Sequence, residues 1–253
     1  MADSVLHDLQ AITTRLRLAK RVAVLTGAGV SAESGVPTFR DAMTGLWARF
    51  NPMDLATPEA FGRDPERVSR WYDQRRCDVA KCQPNAGHVA LAQLQKAVVD
   101  RGGSFTLITQ NVDGLHQAAG ATDVIELHGT LWRWRCWDCG EEHEERGPAF
   151  ASYPLRCHCG GLRRPGVVWF GEVLPEDALM AAASAAEQAE LFISIGTSGE
   201  VYPAAGLIDE ALAAGAKVLE INPAATPFTA RVTWSLRAAS GEALPRLIAG
   251  IGS

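Results

Sequence analysis

Residues 22–32 read Val-Ala-Val-Leu-Thr-Gly-Ala-Gly-Val-Ser-Ala, and this stretch decides the fold. Its first five residues form a short apolar run, the pattern of a buried β-strand, which ends at Gly27. The glycines that follow match the G-x-G-x-x-G/A pattern of dinucleotide-binding turns, where glycine permits a tight turn and lets the backbone approach a pyrophosphate. A purely structural tight turn would carry the same residues, so the match needs independent support.

Similar apolar runs recur along the chain, at residues 105–109, 124–127, 191–195 and 217–221. Helical patterns lie between most of these runs, at residues 86–99, 176–188 and 203–214. A further helix is predicted near the start of the chain, with Ser4 as its N-cap and an apolar face formed by Leu6, Leu9, Ile12 and Leu16. Strands that alternate with helices predict an α/β protein with a Rossmann-like, doubly wound parallel sheet, whose ligands bind at the carboxyl ends of the strands.

Two segments interrupt this alternation. Residues 47–83 contain several prolines and one helix-like stretch, and residues 131–165 are rich in Cys, Trp, Arg and Gly with little apolar periodicity. We interpret them as a helical insert with a cofactor loop and as a small second module. The Rossmann-like domain is then discontinuous, formed by residues 1–46, 84–130 and 166–253.

Composition limits the function classes. The chain has 253 residues, is 47% hydrophobic and 21% charged, and carries a formal net charge of -5. These values are typical of a globular protein, and the mild acidity argues against nucleic acid or an anionic membrane as a direct partner. No apolar run approaches the ~18 residues of a membrane span, and residues 1–4 do not resemble the start of a secretory signal. A cytoplasmic location is therefore expected.

The residues after the glycine turn depart from those of a dehydrogenase. A hydride-transfer enzyme would place an acidic residue at the end of a second strand ~20 residues later, and residues 46–52 do not form a buried strand. Residues 33–41 instead read Glu-Ser-Gly-Val-Pro-Thr-Phe-Arg-Asp, a shaped loop in which Arg40 could bind phosphate through two parallel hydrogen bonds. We infer that a dinucleotide is bound but is not used for hydride transfer.

Polar residues follow several of the predicted strands. Residues 109–116 read Thr-Gln-Asn-Val-Asp-Gly-Leu-His, and a helix cap would explain Asn111 or Asp113 but not Gln110 as well. His128 follows the next run and has an ordinary pKa close to neutrality, although a lone histidine is more often structural. Small or polar residues also follow the last two runs, at 196–198 and 221–223. Their convergence at one sheet edge predicts a ligand site.

Four of the six cysteines are clustered. Cys136 and Cys139 are separated from Cys157 and Cys159 by seventeen residues, a spacing that suits a closed, tetrahedral structural zinc site. Reduced core cysteines are the alternative, but this segment offers little core. The second pair has only one intervening residue, so a ligand role for His143 or His158 stays open. The two remaining thiols, Cys77 and Cys82, are interpreted as ordinary ones.

Taken together, these segments resemble the sirtuins, a family of NAD-dependent protein-lysine deacylases. The resemblance covers nearly the whole chain in the family's order, through residues 27–31, 35–40, 109–116, 128–129, the four clustered cysteines, and residues 167–172, 196–198 and 221–222. It implies NAD as co-substrate and one structural zinc ion on Cys136, Cys139, Cys157 and Cys159. It also implies acylated-lysine proteins or peptides as partners, and we expect a monomer.

The resemblance assigns roles to individual residues. NAD would be bound by Gly27, Ala28, Gly29, Ser31, Ala32, Thr38, Phe39, Arg40, Trp47, Gln110, Asn111, Val112, Asp113, Gly196, Thr197, Ser198, Asn222, Pro223, Ala224 and Ser240. The catalytic residues would be His128 as general base, with Asn111 and Asp113. The substrate peptide would be bound as an added strand by Val168, Phe170, Gly171, Glu172 and Val201. The amide oxygen of the acyl-lysine would attack the ribose carbon as nicotinamide leaves. A ribose hydroxyl deprotonated by His128 would then attack the amide carbon, releasing lysine and O-acyl-ADP-ribose.

Two residues of the helical insert concern the acyl group. Tyr72 and Arg75 share a helix face, and a phenol with a guanidinium can bind a carboxylate. Spacing alone favours a surface arginine paired with Asp78 and a tyrosine packed at a helix edge. The Tyr-x-x-Arg pattern at this place, together with Thr38, resembles the sirtuin branch that removes succinyl and malonyl groups. The resemblance thus implies a preference for acidic acyl groups, with weaker deacetylation.

Two alternative functions stay open from the sequence. Some sirtuin relatives transfer a single ADP-ribose to protein, and a non-catalytic NAD-sensing module would bind NAD without releasing nicotinamide. The joint presence of Asn111, Asp113 and His128 argues against the non-catalytic alternative. Metal-dependent hydrolysis is disfavoured, because four thiolates would leave the zinc no open position.

Overall fold

A parallel sheet forms the centre of the molecule. The computed structural model describes residues 2–37, 51–249 and 251. In that part of the chain six strands pair in the order β3-β2-β1-β7-β8-β9, all parallel. These strands are β1 (Arg21–Thr26), β2 (Ser104–Thr109), β3 (Ile125–Glu126), β7 (Leu191–Ile195), β8 (Lys217–Ile221) and β9 (Trp234–Leu236). The predicted α/β class and doubly wound sheet are confirmed.

The sheet is buried on both faces because its side chains alternate between two apolar layers. Val22 and Val24 of β1 belong to one buried cluster, and Ala23 and Leu25 belong to the other. Alternation of this kind follows from the two-residue period of a strand. Helices therefore cover both faces, as expected for a parallel sheet.

Eight α-helices lie within the described ranges. They are α1 (Ala2–Leu18), α2 (Pro58–Arg63), α3 (Pro65–Val79), α4 (Ala86–Asp100), α5 (Leu115–Ala118), α6 (Glu176–Gln188), α7 (Gly206–Ala213) and α8 (Ser240–Ile248). The buried residues of α1, α4 and α8 line one face of the sheet, and those of α6 and α7 line the other. None of the helices described here combines the length and the apolar character that crossing a membrane requires.

Several predicted boundaries were wrong. The first helix begins at Ala2, so position 4 lies inside its first turn and is not the N-cap position. The helix predicted over residues 203–214 begins only at Gly206. The apolar run at 124–127 forms a strand of two residues at the sheet edge, and the short strand β9 was not predicted. Edge strands carry weaker apolar patterns than central ones because fewer neighbours bury them.

A smaller antiparallel sheet forms most of the second module. It consists of β4 (Gly129–Cys136), β5 (Glu142–Glu144) and β6 (Arg163–Val167), in the order β5-β4-β6. Its inner face packs against the helical insert in a third buried cluster, which includes Phe61, Val68, Tyr72, Trp134 and Trp169. The two inserts therefore pack on each other and share one buried cluster. The domain boundaries stay a prediction.

Candidate functional site

The glycine turn after β1 packs against the end of β7. Gly27 N–H donates to the carbonyl of Ile195 at 3.0 Å, and Gly29 N–H donates to the carbonyl of Gly196 at 2.8 Å. A Cβ atom on Gly29 would lie 2.7 Å from Cα of Gly196, so a side chain there would force the backbones apart. Two short 3-10 turns follow, at residues 28–30 and 32–34. Gly27 and Gly29 are thus required because the backbone at the end of β1 packs directly against the backbone at the end of β7.

A buried hydrogen-bond network lies beside this turn. Ser31 Oγ donates to Asp113 Oδ2 at 2.8 Å and accepts from Asn111 Nδ2 at 3.1 Å. Asn111 Nδ2 also lies 3.1 Å from the carbonyl oxygen of Gly27. Asp113 Oδ1 accepts from the backbone N–H of Leu115 at 2.9 Å. The structure therefore brings together three predicted site residues from two strand ends, Ser31, Asn111 and Asp113.

The Asp113 carboxyl group is held in a low-dielectric environment. Burial raises its pKa, while the hydrogen bonds from Leu115 and Ser31 and the charge of Arg75 act in the opposite direction. The Trp132 indole N–H donates to the backbone carbonyl of Asp113 at 2.7 Å. Gly114, at φ 74°, is tightly packed against that indole ring. Trp132 was not predicted as a site residue, because its contact depends on β4 returning beneath the end of β2.

His128 lies at the bend between β3 and β4. Its Nδ1 is 2.9 Å from the backbone carbonyl oxygen of Gln110. Because a carbonyl oxygen can only accept, Nδ1 carries the proton and Nε2 is the basic nitrogen of the neutral ring. Burial lowers the pKa of His128, and the bond to Gln110 partly offsets this. The ring is therefore neutral, oriented and basic at one atom near pH 7.

Gly129 sets the bend that presents His128. Its φ is 71°, and a Cβ atom there would lie 2.1 Å from the carbonyl oxygen of Gly166. On the other side, Val168 N–H donates to the carbonyl of His128 at 2.9 Å. The histidine is thus held between the large sheet and the loop that follows β6.

The other predicted NAD residues lie along the same carboxyl edge. Gln110 Nε2 donates to Thr197 Oγ1 at 3.1 Å, which joins the ends of β2 and β7. Asn222 Nδ2 donates to the carbonyl of Ala224 at 2.9 Å, and so shapes the turn after β8. The predicted residues Ala28, Ala32, Val112, Ser198 and Pro223 also follow these strand ends. Four predicted residues lie outside the described part of the chain: Thr38, Phe39, Arg40 and Trp47.

Ser240 connects this edge to the glycine turn through Glu33. Glu33 Oε2 accepts from the Gly241 backbone N–H at 2.7 Å and from Ser240 Oγ at 3.2 Å. Ser240 also lies against the first turn of α4 at Gly87. Glu33 was not among the predicted site residues, since its partners are about two hundred residues away in sequence.

Two buried histidines support the network from below. His88 Nδ1 accepts from the backbone N–H of Asn85, so its Nε2 carries the proton and points at Ser31 Oγ, 3.3 Å away. His116 Nε2 lies 2.9 Å from Thr26 Oγ1. The ring centroids of His88 and His116 are 4.9 Å apart. Burial lowers the pKa of His88 to about 4 and that of His116 to about 3, so both are neutral in the native state.

Tyr72 and Arg75 lie on α3, where the helical insert faces the site. Trp169 Nε1–H donates to the Tyr72 hydroxyl at 3.0 Å, and Tyr72 is buried. The Arg75 guanidinium lies 4.9 Å from the Trp71 ring and 5.6 Å from the Tyr72 ring. Burial lowers the pKa of Arg75, while Tyr72 and the Asp113 carboxylate act to raise it. Asp78, the partner that the alternative interpretation gave to Arg75, accepts hydrogen bonds from Lys81 and Gln74.

The predicted peptide-binding loop after β6 is braced from inside. Glu172 accepts hydrogen bonds from both Nη atoms of Arg164 and from Trp169 N–H. Its carboxylate therefore shapes the loop from Val168 to Gly171 rather than pointing to solvent. The Phe170 side chain is 46% exposed, and Val201, in the segment that follows β7, is 44% exposed. The structure leaves these two apolar side chains accessible to a ligand.

The four clustered cysteines meet at one point. Sγ of Cys136 is 3.5 Å from Sγ of Cys159, and Sγ of Cys139 is 3.7 Å from that of Cys157. All four sulfur atoms lie within 4.8 Å of one another. Tetrahedral Zn–S bonds of about 2.3 Å place sulfur atoms about 3.8 Å apart, so the donor set fits zinc. The sulfur set is complete without a histidine from His143 or His158.

Known proteins resemble this chain over almost its full length. The sequence pattern of the Sir2 family matches residues 27–203. A Thermus thermophilus protein named NAD-dependent protein deacylase is 50% identical over 243 residues, which are 96% of this chain and 95% of that protein. A solved structure described as a Sir2 homolog–NAD complex has a TM-score of 0.89 at 45% identity, covering 96% of this chain and 93% of the other. Another, described as Sir2 bound to acetylated peptide, has a TM-score of 0.84 at 31% identity, with coverages of 96% and 99%.

Proposed function

The chain belongs to the Sir2 family, and from this premise we propose that it removes succinyl and malonyl groups from protein lysines in preference to acetyl groups. It is an NAD-dependent protein deacylase, with acylated-lysine proteins or peptides as its partners. The finer proposal concerns which acyl group the site accepts. The observation that carries it is the Arg75 guanidinium lying 5.6 Å from the centroid of the ring of the buried Tyr72 on α3.

The residues at the carboxyl edge of the large sheet fit NAD. Their buried hydroxyl, amide and carboxyl groups suit ribose hydroxyls and an amide. NAD supplies an electrophilic ribose carbon, which accepts the acyl-lysine oxygen as nicotinamide leaves. Asn111 and Asp113 hold the reacting end, because Ser31 fixes both side chains. Thr197, Asn222 and Ser240 support the opposite end.

His128 acts as the general base. Its Nε2 accepts a proton from a ribose hydroxyl, whose oxygen then attacks the former amide carbon. The C–N bond to lysine breaks and the lysine nitrogen is protonated. A water molecule would then add to the former amide carbon, and the bond from that carbon to the former amide oxygen would break, so the balanced products are nicotinamide, lysine and O-acyl-ADP-ribose. The bond from Nδ1 to the Gln110 carbonyl keeps the proton off Nε2 in the resting ring.

The acyl-lysine side chain enters between the two sheets. Val168 and Val201 flank the entrance, and a peptide laid between them as an added strand would be bound mainly through its backbone. The acyl chain then points toward α3. A succinyl or malonyl carboxylate would meet the Arg75 guanidinium and the Tyr72 hydroxyl, whereas an acetyl group would leave both without this contact.

A comparison of matched peptides tests the proposal. Succinyl- and acetyl-lysine peptides of one sequence are assayed for NAD-dependent nicotinamide release, with mass spectrometry of the peptide product. We expect a higher kcat/KM for succinyl. Arg75→Met should lower that value by about 10- to 100-fold, as expected for loss of a charged hydrogen bond in a partly buried site. Acetyl turnover should change by less than about threefold.

The matched control is Arg63→Met, which removes an exposed arginine on α2 and should leave both rates unchanged. An equal loss of both rates in Arg75→Met would contradict the proposed acyl preference. Gain of ADP-ribose by the peptide, without loss of its acyl group, would favour the transferase alternative.

A further inference from the structure

A buried ion pair lies on α3, next in sequence to Tyr72 and Arg75, the two residues proposed to bind the acyl carboxylate. Asp73 follows Tyr72, Arg76 follows Arg75, and the Asp73 and Arg76 side chains are each 1% exposed. Arg76 donates to Asp73 Oδ1 from Nη2 at 2.6 Å and from Nε at 2.9 Å. Such a pair is costly to desolvate, so its net contribution to stability is small even when its hydrogen bonds are complete.

The remaining donors of Arg76 cross to the zinc module. Nη1 donates to the carbonyls of Glu145 and Gly147 at 3.1 and 2.7 Å, and Nη2 donates to the carbonyl of Pro148 at 2.7 Å. These three carbonyls belong to the segment between β5 and the second cysteine pair. A guanidinium can satisfy this many acceptors at once because its five N–H groups form a rigid planar fork.

The second oxygen of Asp73 binds the same segment. Oδ2 accepts from Phe150 N–H at 2.9 Å and from the Tyr153 hydroxyl at 2.5 Å. The Phe150 ring lies 4.9 Å from the Arg76 guanidinium and packs edge-on against Trp134, with centroids 5.1 Å apart. Trp134 stands on β4, two residues before the zinc ligand Cys136. A continuous path of contacts therefore joins α3 to the zinc-bound end of the small sheet.

We propose that the Asp73–Arg76 pair positions α3 on the zinc module, so that Tyr72 and Arg75 meet the acyl carboxylate in register. The inference rests on the proposed function for its effect on acyl selectivity. Neither residue touches the reacting atoms, so both are positioning residues. The pair acts through geometry, because a misplacement of about 1 Å can cost up to ~100-fold in rate.

Arg76→Lys tests the proposal, since it keeps the charge and removes the fork. We expect kcat/KM for the succinyl peptide to fall about tenfold and that for the acetyl peptide to fall less than about threefold. KM for NAD should not change. Tyr153→Phe removes one of the five bonds that cross to the module and should give a smaller loss in the same direction. Arg63→Lys, on the neighbouring helix α2, is the matched control and should leave both rates unchanged.

Hydrogen exchange of α3 gives a readout independent of activity. Backbone amides of residues 65–79 should exchange slowly in the zinc-loaded protein and faster after zinc is removed by a chelator. In Arg76→Lys they should exchange fast from the start, with little further change on chelation. If Arg76→Lys does not fold, peptide turnover and α3 hydrogen exchange are measured on Tyr153→Phe instead, and these results decide whether the ion pair positions α3.

The outcomes separate the two proposals. The positioning role would be overturned if Arg76→Lys lost succinyl and acetyl turnover equally. It would also be overturned if the exchange rates of the α3 amides changed neither on substitution nor on chelation. Either result would leave the proposed acyl preference intact. A native enzyme that does not prefer succinyl would overturn the proposed acyl preference. In that case the exchange data alone decide whether the pair holds α3 on the module.

Discussion

The two sheets of this molecule are stabilised by different means. The large parallel sheet is held by aliphatic side chains buried on both faces, with Val24 and Leu25 fully inaccessible. The small antiparallel sheet has a solvent-exposed edge strand, β5, and its interior contains two tryptophans, Trp134 and Trp169, and the two buried thiols of the cysteine cluster, Cys136 and Cys157. Burial of apolar surface is non-directional, whereas metal bonds and hydrogen bonds require defined partners.

This difference divides the work of the enzyme. The large sheet supplies a rigid edge on which Ser31, Asn111, Asp113 and His128 converge. The small sheet packs against α3, and under the proposed function these two elements would form the wall that contacts the acyl group. Under the proposed function, the chemistry would depend on the region with the continuous core, and acyl selectivity would depend on the region that contains the four cysteines and the buried Asp73–Arg76 ion pair.

Removing zinc should give the largest effect and tests this division directly. Structural zinc contributes ~10–16 kcal/mol of apparent binding energy in small domains, so a chelator should unfold the small sheet. The near-ultraviolet circular dichroism of the tryptophans should change strongly, and the far-ultraviolet signal of the large sheet and its helices should largely persist. Cys139→Ser should lose the metal and Cys77→Ser should keep one zinc per chain. Simultaneous loss of both signals would mean that the regions do not differ in this way.

His128→Ala should give the next largest effect, on the chemical step. We expect kcat to fall ~10²–10⁴-fold, the usual contribution of a general base. NAD affinity by calorimetry and the thermal unfolding midpoint should stay near those of the native enzyme. Because burial lowers the pKa of His128, the rate should fall with acid only below pH 6.5. Retention of native deacylation at saturating NAD would exclude the assigned role.

The buried pair His88 and His116 should make the large sheet acid-sensitive. Both pKa values are lower in the folded protein, at about 4 and about 3, than the usual 6.5. Between pH 6.5 and these lowered pKa values, the unfolded chain binds more protons than the folded protein. The free energy of unfolding is therefore highest above pH 6.5 and falls as the pH decreases. Each histidine should cost up to ~1.4 kcal/mol per pH unit in that window, measured by urea unfolding. His88→Gln should reduce the slope by one histidine's share; an unchanged slope would contradict the buried neutral assignment.

Gly29→Ala should give the smallest of these effects, confined to the packing of the glycine turn. The added methyl group meets Gly196 at 2.7 Å, and overpacking of this kind costs about 1–3 kcal/mol. Gly62→Ala on α2 is the control, since nothing lies within 4 Å and alanine favours the helix. The unfolding midpoint should fall for Gly29→Ala and stay level or rise for Gly62→Ala. Equal midpoints would show that the two strand ends can separate without cost.

The parts of the fold that sequence predicted well are local ones. The central strands β1, β7 and β8 appear as uninterrupted apolar runs because each is buried on both faces. The strand β9 was missed because three residues at a sheet edge carry no usable period. The helix-like stretch of the helical insert was predicted around residues 66–79, and α3 runs from Pro65 to Val79 with Asp64 as its N-cap.

The site residues divide in the same way. Gln110, Asn111, Asp113 and His128 were predicted as site residues partly because they directly follow apolar runs, and the structure places them at the ends of β2 and β3. The roles of Glu33, Trp132 and the Asp73–Arg76 pair could not be predicted, since their partners lie far away in sequence. The sequence does not show whether a charged residue on a helix faces solvent or a buried carboxylate.

By itself, the sequence determined the parallel sheet, the glycine turn, the polar strand ends and the four thiols, because each is written in adjacent residues through apolar periodicity or short spacing. Only the tertiary structure decided that the four sulfur atoms form a complete set without a histidine. It alone decided that His128 is basic at Nε2, and that α3 packs on the second module with Arg75 beside the Tyr72 ring. Those outcomes depend on distances between segments that are far apart in the sequence. Such distances are set by burial and hydrogen-bond geometry in the folded protein.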